Sequence, residues 1–313
     1  MKKTLLAYLT HPHVGAWNLK SRHSENLSRQ LPEYRVITCE KSREFLQRLP
    51  EAEAVAVWYF KKDWLAAAPK LKLLATPAAG REWIDVAADA RLKLSFGSFH
   101  GPMIAESVVG AALYFCKAFA LSTAMQRQHR WARADIAQKL ASLQGARVTL
   151  LGFGNIGRAI GRALKPFGCL LTGIGRTPAP APSYFSPEDR IVTADRLSGE
   201  LAVTDHLILA LPGGPQTGGL FTRSHFQALP PRCFLYNIGR GNVYKEEDLV
   251  YALREGLVAG AYLDVFDREP LPEDSPLWAM NNVLIQPHVS AAAPHYLDLF
   301  VEELIGRIKA MNE

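Results

Sequence analysis

The sequence has few cysteines, and their spacing excludes the common cysteine-based sites. The four cysteines, Cys39, Cys116, Cys169 and Cys233, lie far apart and include no C-x-x-C pair. This spacing argues against a zinc site or a dithiol redox motif and fits a reducing compartment. We therefore predict a cytoplasmic protein with no bound metal.

The sequence also lacks long apolar runs and runs of basic residues. The apolar segment Leu5–Leu9 is too short for a signal-peptide core. The longest stretch without Asp, Glu, Lys or Arg, Ser275–Leu297, contains three prolines, which argue against a membrane span. The formal net charge of +6 comes from scattered residues. We expect no membrane or nucleic-acid partner, and we expect any ligand to be a small anion.

Short strand-like runs alternate with helical patterns along the 313 residues, a length that suggests two domains. Such alternation predicts an α/β fold with parallel sheets. The predicted strands are Thr4–Leu9, Tyr34–Thr38, Ala54–Tyr59, Lys72–Ala75, Leu92–Phe96, Arg147–Leu151, Cys169–Gly173, His206–Leu211, Cys233–Asn237, Gly260–Val265 and Val283–Gln286.

Two helical segments indicate how the domains are divided. A long apolar helix is predicted over Ile104–Leu121, followed by a polar segment, so a domain boundary is expected near Gly101-Pro102. The last predicted helix, about Pro294–Met311, has one apolar face and can return to cover the first domain.

A glycine-rich turn follows the predicted strand Arg147–Leu151. Gly152, Gly154 and Gly157, with Asn155 and Ile156 between them, form a G-x-G-x-x-G pattern that opens a helix. The three glycines allow a tight turn, a close approach of backbone to a pyrophosphate, and close helix–strand packing. The pattern predicts a dinucleotide site, whose phosphates would meet the helix N-terminus.

The next strand carries no acidic residue where NAD-specific proteins place one. The chain continues instead as Gly173-Ile-Gly-Arg176-Thr177. Because a guanidinium and a hydroxyl suit a 2′-phosphate, we predict that NADP(H) is preferred and NAD(H) possible. The alternative is that Arg176 only projects into solvent.

Three further motifs each follow a predicted strand: Asn237–Gly241, Asp264–Pro270 and Gln286–His288. Ligands of open α/β sheets lie at the carboxyl ends of the strands, so an arginine, a glutamate and a histidine are expected to converge on one crevice.

With these motifs in this order, the chain resembles the D-isomer-specific 2-hydroxyacid dehydrogenases, which include glyoxylate and hydroxypyruvate reductases. The resemblance implies two Rossmann- or flavodoxin-like α/β domains with parallel sheets and a cleft between them. Residues 1–101 and 290–313 would form the substrate domain, and residues 102–289 the dinucleotide-binding domain. It also implies a homodimer formed through about Ile104–Gln144.

The resemblance implies reduction of a small 2-oxo acid to the D-2-hydroxy acid. His288 would be the acid and base, Glu269 would orient it, and Arg240 would bind the substrate. Ala79 and Gly80 would offer backbone N–H groups to the substrate carboxylate, and Asp264 would contact the nicotinamide side. The other expected cofactor contacts are Leu211, Pro212, Thr217, Ile238, Gly239, Arg240, His288 and Ala291.

Several features leave alternatives open. Arg81 and Glu82 replace the family's usual residues after Gly80, and Arg81 either recognises a second anionic or polar substrate group or pairs with Glu82. Gly213-Gly214 either widens the cofactor mouth or loosens a turn. Trp131 and Trp278 either close the substrate pocket or pack elsewhere. The alternative functions are a dinucleotide-sensing, corepressor-like protein and a dehydrogenase of a different 2-hydroxy acid.

Overall fold

The chain divides into two compact units in a computed structural model that describes residues 2–87 and 91–312. The first unit combines the chain up to His100 with the chain from Ala292 onward. The second unit comprises Gly101–Ala291. The last helix thus belongs to the same unit as the N-terminal strands.

The strands of the described residues form two sheets in which every pairing is parallel. This confirms the predicted α/β class. The strands are β1 (Lys3–Tyr8), β2 (Tyr34–Thr38), β3 (Ala54–Val57), β4 (Leu73–Thr76), β5 (Lys93–Phe96), β6 (Arg147–Leu151), β7 (Leu170–Gly175), β8 (Arg190–Thr193), β9 (His206–Leu209), β10 (Phe234–Asn237), β11 (Gly260–Leu263) and β12 (Val283–Ile285).

The α-helices of the described residues fill the crossovers between strands and close the chain. They are α1 (Ser21–Gln30), α2 (Ser42–Arg48), α3 (Gly101–Cys116), α4 (Phe119–Arg127), α5 (Arg133–Ala137), α6 (Asn155–Leu164), α7 (Leu197–Leu201), α8 (Arg223–Gln227), α9 (Glu246–Arg254) and α10 (Tyr296–Asn312). Short 3₁₀ helices lie at Gly15–Trp17, Leu49–Glu51, Lys62–Ala67, Lys165–Phe167, Ala194–Arg196, Gly241–Val243 and Pro276–Ala279.

The order of the strands locates the ligand-binding edge of each sheet. The first sheet runs β2-β1-β3-β4-β5, which is the flavodoxin-like order, and the second runs β12-β11-β10-β9-β6-β7-β8, which extends the Rossmann order. Ligands of such sheets bind outside the carboxyl ends of the strands, where the strand order reverses. In the second sheet that point lies between β6 and β9, directly at the glycine turn.

The central strands are apolar because both of their faces are covered. β3, β4, β9 and β11 are buried along their whole length, as expected of strands in a parallel sheet with helices on both sides. In the first unit Leu6, Phe45, Val55, Phe60 and Leu74 belong to one such core. The rigid interior fixes where the loops at the carboxyl edges begin.

The structure corrects the predicted helix over Ile104–Leu121. α3 ends at Cys116, Ala118 adopts a left-handed conformation with φ of 51°, and α4 begins at Phe119. The Cys116 carbonyl accepts a hydrogen bond from the Ala141 N–H at 2.8 Å, so a distant segment ends the helix. At its start, a Cβ on Gly101 would lie 2.7 Å from the Ala159 Cβ, so glycine lets α3 approach α6 closely.

The structure also adds β8, which the sequence analysis missed. This strand pairs with β7 at the edge of the sheet, and none of its residues is buried. An edge strand of four residues, starting with an exposed arginine, lacks the apolar run that identifies a central strand. All the predicted strands are present, and their ends differ by at most two residues from the predicted ones.

No single helix among the described residues is long and apolar enough to cross a membrane. α3 and α4 reach that length and composition only as a pair, which bends by 62° at the break between them. Eight residues of α3 are buried, and among them Ile104, Val108 and Ala112 belong to the core of the second unit.

Candidate active site

In the glycine turn after β6, two of the glycines have no space for a side chain. Gly152 has a φ of +102°, and a Cβ there would lie 2.5 Å from the Ala210 carbonyl oxygen. A Cβ on Gly157 would lie 2.3 Å from the Gly152 carbonyl oxygen. Any larger residue at either position would collide with backbone, so the tight turn and the close helix packing depend on glycine.

Gly154 differs because the space beside it is open. It caps the N-terminus of α6, and a Cβ there would meet nothing within 4 Å. The first turn of α6, including Asn155 and Ile156, contains no acidic residue. The exposed turn therefore presents N–H groups and the positive end of the helix dipole to open space, an arrangement that fits the pyrophosphate of a dinucleotide.

The end of β7 is the place where a dinucleotide-binding sheet contacts the adenosine ribose. β7 ends at Gly175, and the next two residues, Arg176 and Thr177, are exposed. The residues that end and follow β7, Gly175 to Thr177, include no carboxylate.

The Gly239-Arg240-Gly241 triplet lies between two loops that leave no room for a side chain at either glycine. A Cβ on Gly239 would lie 2.5 Å from the Leu211 carbonyl oxygen, and one on Gly241 would lie 1.8 Å from the Phe266 carbonyl carbon. The Asn237 side chain ties the turn together by accepting from the Gly239 N–H at 3.2 Å and donating to the Arg240 carbonyl oxygen at 3.0 Å. Arg240 is therefore held on a rigid backbone.

The Arg240 side chain is half-buried and faces the loop after β9. Its Nη1 donates to the Gly239 carbonyl oxygen at 2.7 Å, and its Cγ lies 3.2 Å from where a Cβ on Gly213 would be. Glycine at position 213 thus makes room for the arginine. In the same loop, the Thr217 hydroxyl donates to the Pro212 carbonyl oxygen at 2.7 Å.

His288 and Glu269 form a hydrogen-bonded ion pair. The His288 Nδ1 lies 2.8 Å from the Glu269 Oε2, while the Phe266 N–H donates to the Glu269 Oε1 at 3.0 Å. Both carboxylate oxygens are thus engaged, and the histidine Nε2 has no hydrogen-bond partner among the described residues. The His288 side chain is 45% exposed, so a small molecule has access to it.

The electrostatics of this pair favour a proton on the histidine. The hydrogen bond to Glu269 raises the pKa of His288, assisted by the negative charges of Glu269 and Asp264, while burial and the charge of Arg240 oppose the rise. Burial alone would raise the pKa of Glu269, but the hydrogen bonds from His288 and Phe266 and the charges of His288 and Arg240 lower it. Arg240 acts on both groups, so the three predicted residues converge.

Asp264 holds the segment that follows His288. Its carboxylate is 2% exposed and accepts hydrogen bonds from the N–H groups of Val289 and Ser290, at 2.9 and 3.0 Å, and from the Ser290 hydroxyl. Its carbonyl oxygen accepts from the His288 N–H at 2.8 Å. His288 has a left-handed φ of 55°, an unusual conformation that these bonds maintain.

These contacts give Asp264 a positioning role that sequence reasoning did not identify. The predicted contact of Asp264 with the nicotinamide stays a prediction. The supporting N–H of Phe266 was also missed, because a backbone donor leaves no signal in the sequence. Ile238 is 5% exposed and Ala291 is partly buried; their cofactor contacts stay predictions.

The predicted carboxylate loop of the first unit follows β4. The Thr76 hydroxyl accepts from the Ala78 N–H at 3.2 Å, and the Ala78 carbonyl oxygen accepts from the Gly97 N–H at 3.0 Å. Across residues 2–87 and 91–312, the N–H groups of Ala79 and Gly80 donate to no protein acceptor. The loop therefore has two backbone donors for an anion.

The two tryptophans are both exposed. Trp131 is 86% exposed, near Leu140 and Met125 in an apolar groove formed by α4, α5 and their flanking residues. Trp278 is 54% exposed, and its Nε1 donates to the Pro272 carbonyl oxygen at 2.8 Å. Neither is a core residue of its unit.

Comparisons with known proteins show what the chain is similar to. The sequence model of the D-isomer specific 2-hydroxyacid dehydrogenase NAD binding domain matches residues 109–290. The chain is 27% identical to a glyoxylate/hydroxypyruvate reductase of Arabidopsis thaliana over 79% of this chain and 75% of that one. It is 32% identical to glyoxylate/hydroxypyruvate reductase A of Photorhabdus laumondii over 61% of this chain and 58% of that one.

A solved structure extends the similarity to the whole chain. A D-isomer specific 2-hydroxyacid dehydrogenase from Xanthobacter autotrophicus Py2, in complex with NADPH and MES, is 28% identical, with a TM-score of 0.80 and coverage of 99% of this chain and 96% of that one. The fold and the match to the family's NAD binding domain define the class of protein as a dehydrogenase. The chain belongs to the D-isomer specific 2-hydroxyacid dehydrogenase family.

Proposed function

We propose that the protein reduces small 2-oxo acids of the glyoxylate and hydroxypyruvate type to D-2-hydroxy acids, with NADPH preferred over NADH. The observation that carries the proposal is the His288–Glu269 pair at 2.8 Å beside the charge of Arg240. A protonated imidazole next to a guanidinium suits a substrate that has a carbonyl oxygen and a carboxylate. The names of the curated relatives support the same substrate class.

The roles of the residues follow from their chemistry. A reduced dinucleotide, with its pyrophosphate held by the glycine turn, would supply a hydride from its nicotinamide ring. His288 donates its Nε2 proton to the carbonyl oxygen, and Glu269 stabilises the imidazolium before the transfer. Arg240 binds the carboxylate and fixes the carbonyl carbon, while the N–H groups of Ala79 and Gly80 are further carboxylate ligands in our proposal.

A direct assay tests this function. Purified protein would be mixed with NADPH or NADH and with glyoxylate, hydroxypyruvate, pyruvate or phenylpyruvate, and the loss of reduced-nicotinamide absorbance would be followed. We expect NADPH-linked reduction of glyoxylate and hydroxypyruvate. Tight NADPH binding without turnover of any of the four acids would contradict the proposal.

We expect Glu269→Gln to move the alkaline limb of the pH profile for reduction to lower pH. Reduction needs protonated His288, so its rate falls as the pH rises through the pKa of that histidine. Glu269 raises this pKa, and glutamine keeps the shape of the side chain but not the charge. The measurement is kcat/KM for reduction as a function of pH, in the wild type and the variant.

The matched control for this prediction is Glu273→Gln, which removes the same charge from an exposed residue of the following loop. Its profile should overlay that of the wild type. An unshifted limb in Glu269→Gln would mean that the carboxylate does not set the protonation of His288.

We expect Arg176→Ala to raise the Kd for NADPH about 10- to 100-fold while changing the Kd for NADH little, because only NADPH carries the 2′-phosphate that a guanidinium fork would bind. Protein fluorescence quenching by each nucleotide gives both constants without turnover. Arg254→Ala, at the exposed end of α9, is the control. Equal weakening of both nucleotides would place Arg176 outside the 2′-phosphate site.

We also propose that the protein is a homodimer. The apolar groove formed by α4, α5 and their flanking residues, which includes the 86% exposed Trp131, is a surface that a second copy of the chain can cover. Light scattering after size-exclusion chromatography measures the mass. A mass equal to that of one chain, 34.6 kDa, would contradict the dimer.

A further inference from the structure

Arg81 directly follows the loop that we propose binds the substrate carboxylate. Its guanidinium carbon lies 5.2 Å from the centre of the Phe96 ring. Phe96 ends β5 and is paired in register with Thr76, which ends β4. The ring therefore holds the guanidinium at the carboxyl edge of the first sheet, on the side where the loop carrying Ala79 and Gly80 emerges.

Within the part of the chain that the structure describes, no carboxylate neutralises the charge of Arg81. Among residues 2–87 and 91–312, Arg81 forms no ion pair, and this includes the adjacent Glu82. The predicted alternative, a pair between Arg81 and Glu82, is thus absent. A ring face attracts a cation but leaves the N–H edge of the guanidinium available for a bidentate anion.

We propose that Arg81 makes the protein selective for 2-oxo acids that carry a second anionic group beyond the 2-carbon. This inference rests on the proposed function, because it takes the loop carrying Ala79 and Gly80 as the site of the first carboxylate. One segment then presents two anion sites in succession: two backbone donors and, at the next residue, a guanidinium. A guanidinium fork recognises either a carboxylate or a phosphate.

Two pairs of probes isolate the second charge. 2-Oxobutanedioate is compared with 2-oxobutanoate, and 3-phosphooxy-2-oxopropanoate is compared with hydroxypyruvate; within each pair only the first member carries the extra anionic group. kcat and KM are measured for all four with NADPH, in the wild type, Arg81→Gln and Arg81→Lys. The two pairs separate a carboxylate from a phosphate as the recognised group.

In the wild type we expect kcat/KM to favour the member with the extra anionic group about 10-fold or more in at least one pair. Arg81→Gln should lower kcat/KM for that substrate about 10- to 100-fold and leave kcat/KM for the other member of the pair unchanged. Lysine should restore only part of the loss, because it keeps the charge but not the fork.

Lys62→Gln is the matched control. It removes one exposed positive charge from the neighbouring segment, where the N–H and carbonyl groups of Phe60 pair with Trp83 and Asp85. If Lys62→Gln lowers kcat/KM for the substrate with the extra anionic group as much as Arg81→Gln does, general charge attraction explains the preference and the proposal falls. The proposal also falls if the wild type reduces glyoxylate but prefers neither substrate with the extra group. It falls as well if Arg81→Gln lowers kcat/KM equally for both members of a pair. Failure to reduce glyoxylate or any probe would overturn the proposed function itself.

Discussion

Replacing His288 by alanine should lower kcat for 2-oxo acid reduction about 10²- to 10⁴-fold, the range that positioned acid catalysis contributes. The variant has no group to protonate the carbonyl oxygen when the hydride arrives. NADPH binding should remain within about 3-fold of the wild type, because the glycine turn and the end of β7, where we place its phosphates, are separate from the His288 side chain. Steady-state kinetics and fluorescence titration with NADPH measure the two effects.

The control is His295→Ala, which removes an exposed histidine seven positions later in the chain. Its kinetics should match those of the wild type. If His288→Ala kept most of the activity, the proton would come from another group. If it lost NADPH affinity in parallel with turnover, His288 would be acting mainly through the cofactor site.

The parts of the site that the sequence predicted are those with a local signal. Gly152 and Gly157 need glycine because of collisions within the strand–turn–helix unit, so the pattern and its reason lie in a few consecutive residues. Arg240, Glu269 and His288 each follow a strand of one parallel sheet, and the carboxyl ends of such strands share one edge. That topological rule is sufficient to bring together residues that are far apart in the chain.

The parts that could not be predicted depend on hydrogen bonds of backbone N–H groups. The end of α3 at Cys116 is set by an N–H group from Ala141, whereas the helical pattern itself continues past it. Backbone N–H groups likewise make the other unpredicted bonds. The Phe266 N–H donates to Glu269, and the N–H groups of residues 289 and 290 donate to Asp264. Any residue type except proline provides such donors, so composition and spacing do not predict these bonds.

Replacing Arg240 by lysine should lower kcat/KM for the 2-oxo acid about 10²-fold, even though the positive charge is kept. The backbone on either side of Arg240 packs closely against Leu211 and Phe266. The Nη1 of the guanidinium donates to the Gly239 carbonyl oxygen at 2.7 Å. A lysine ammonium has no planar fork for the carboxylate, so the carbonyl carbon would lose its alignment with the nicotinamide. Part of the loss should appear in kcat and part in KM.

Two further measurements separate positioning from charge. Arg254→Lys, at the exposed end of α9, makes the same substitution away from the site and should leave kcat/KM as in the wild type. Added guanidinium ion should restore part of the activity of Arg240→Ala, because the deleted side chain leaves a space lined by Gly213. Full activity in Arg240→Lys would show that charge alone is enough, and the rigid Gly-Arg-Gly turn would then have no role in orienting the substrate.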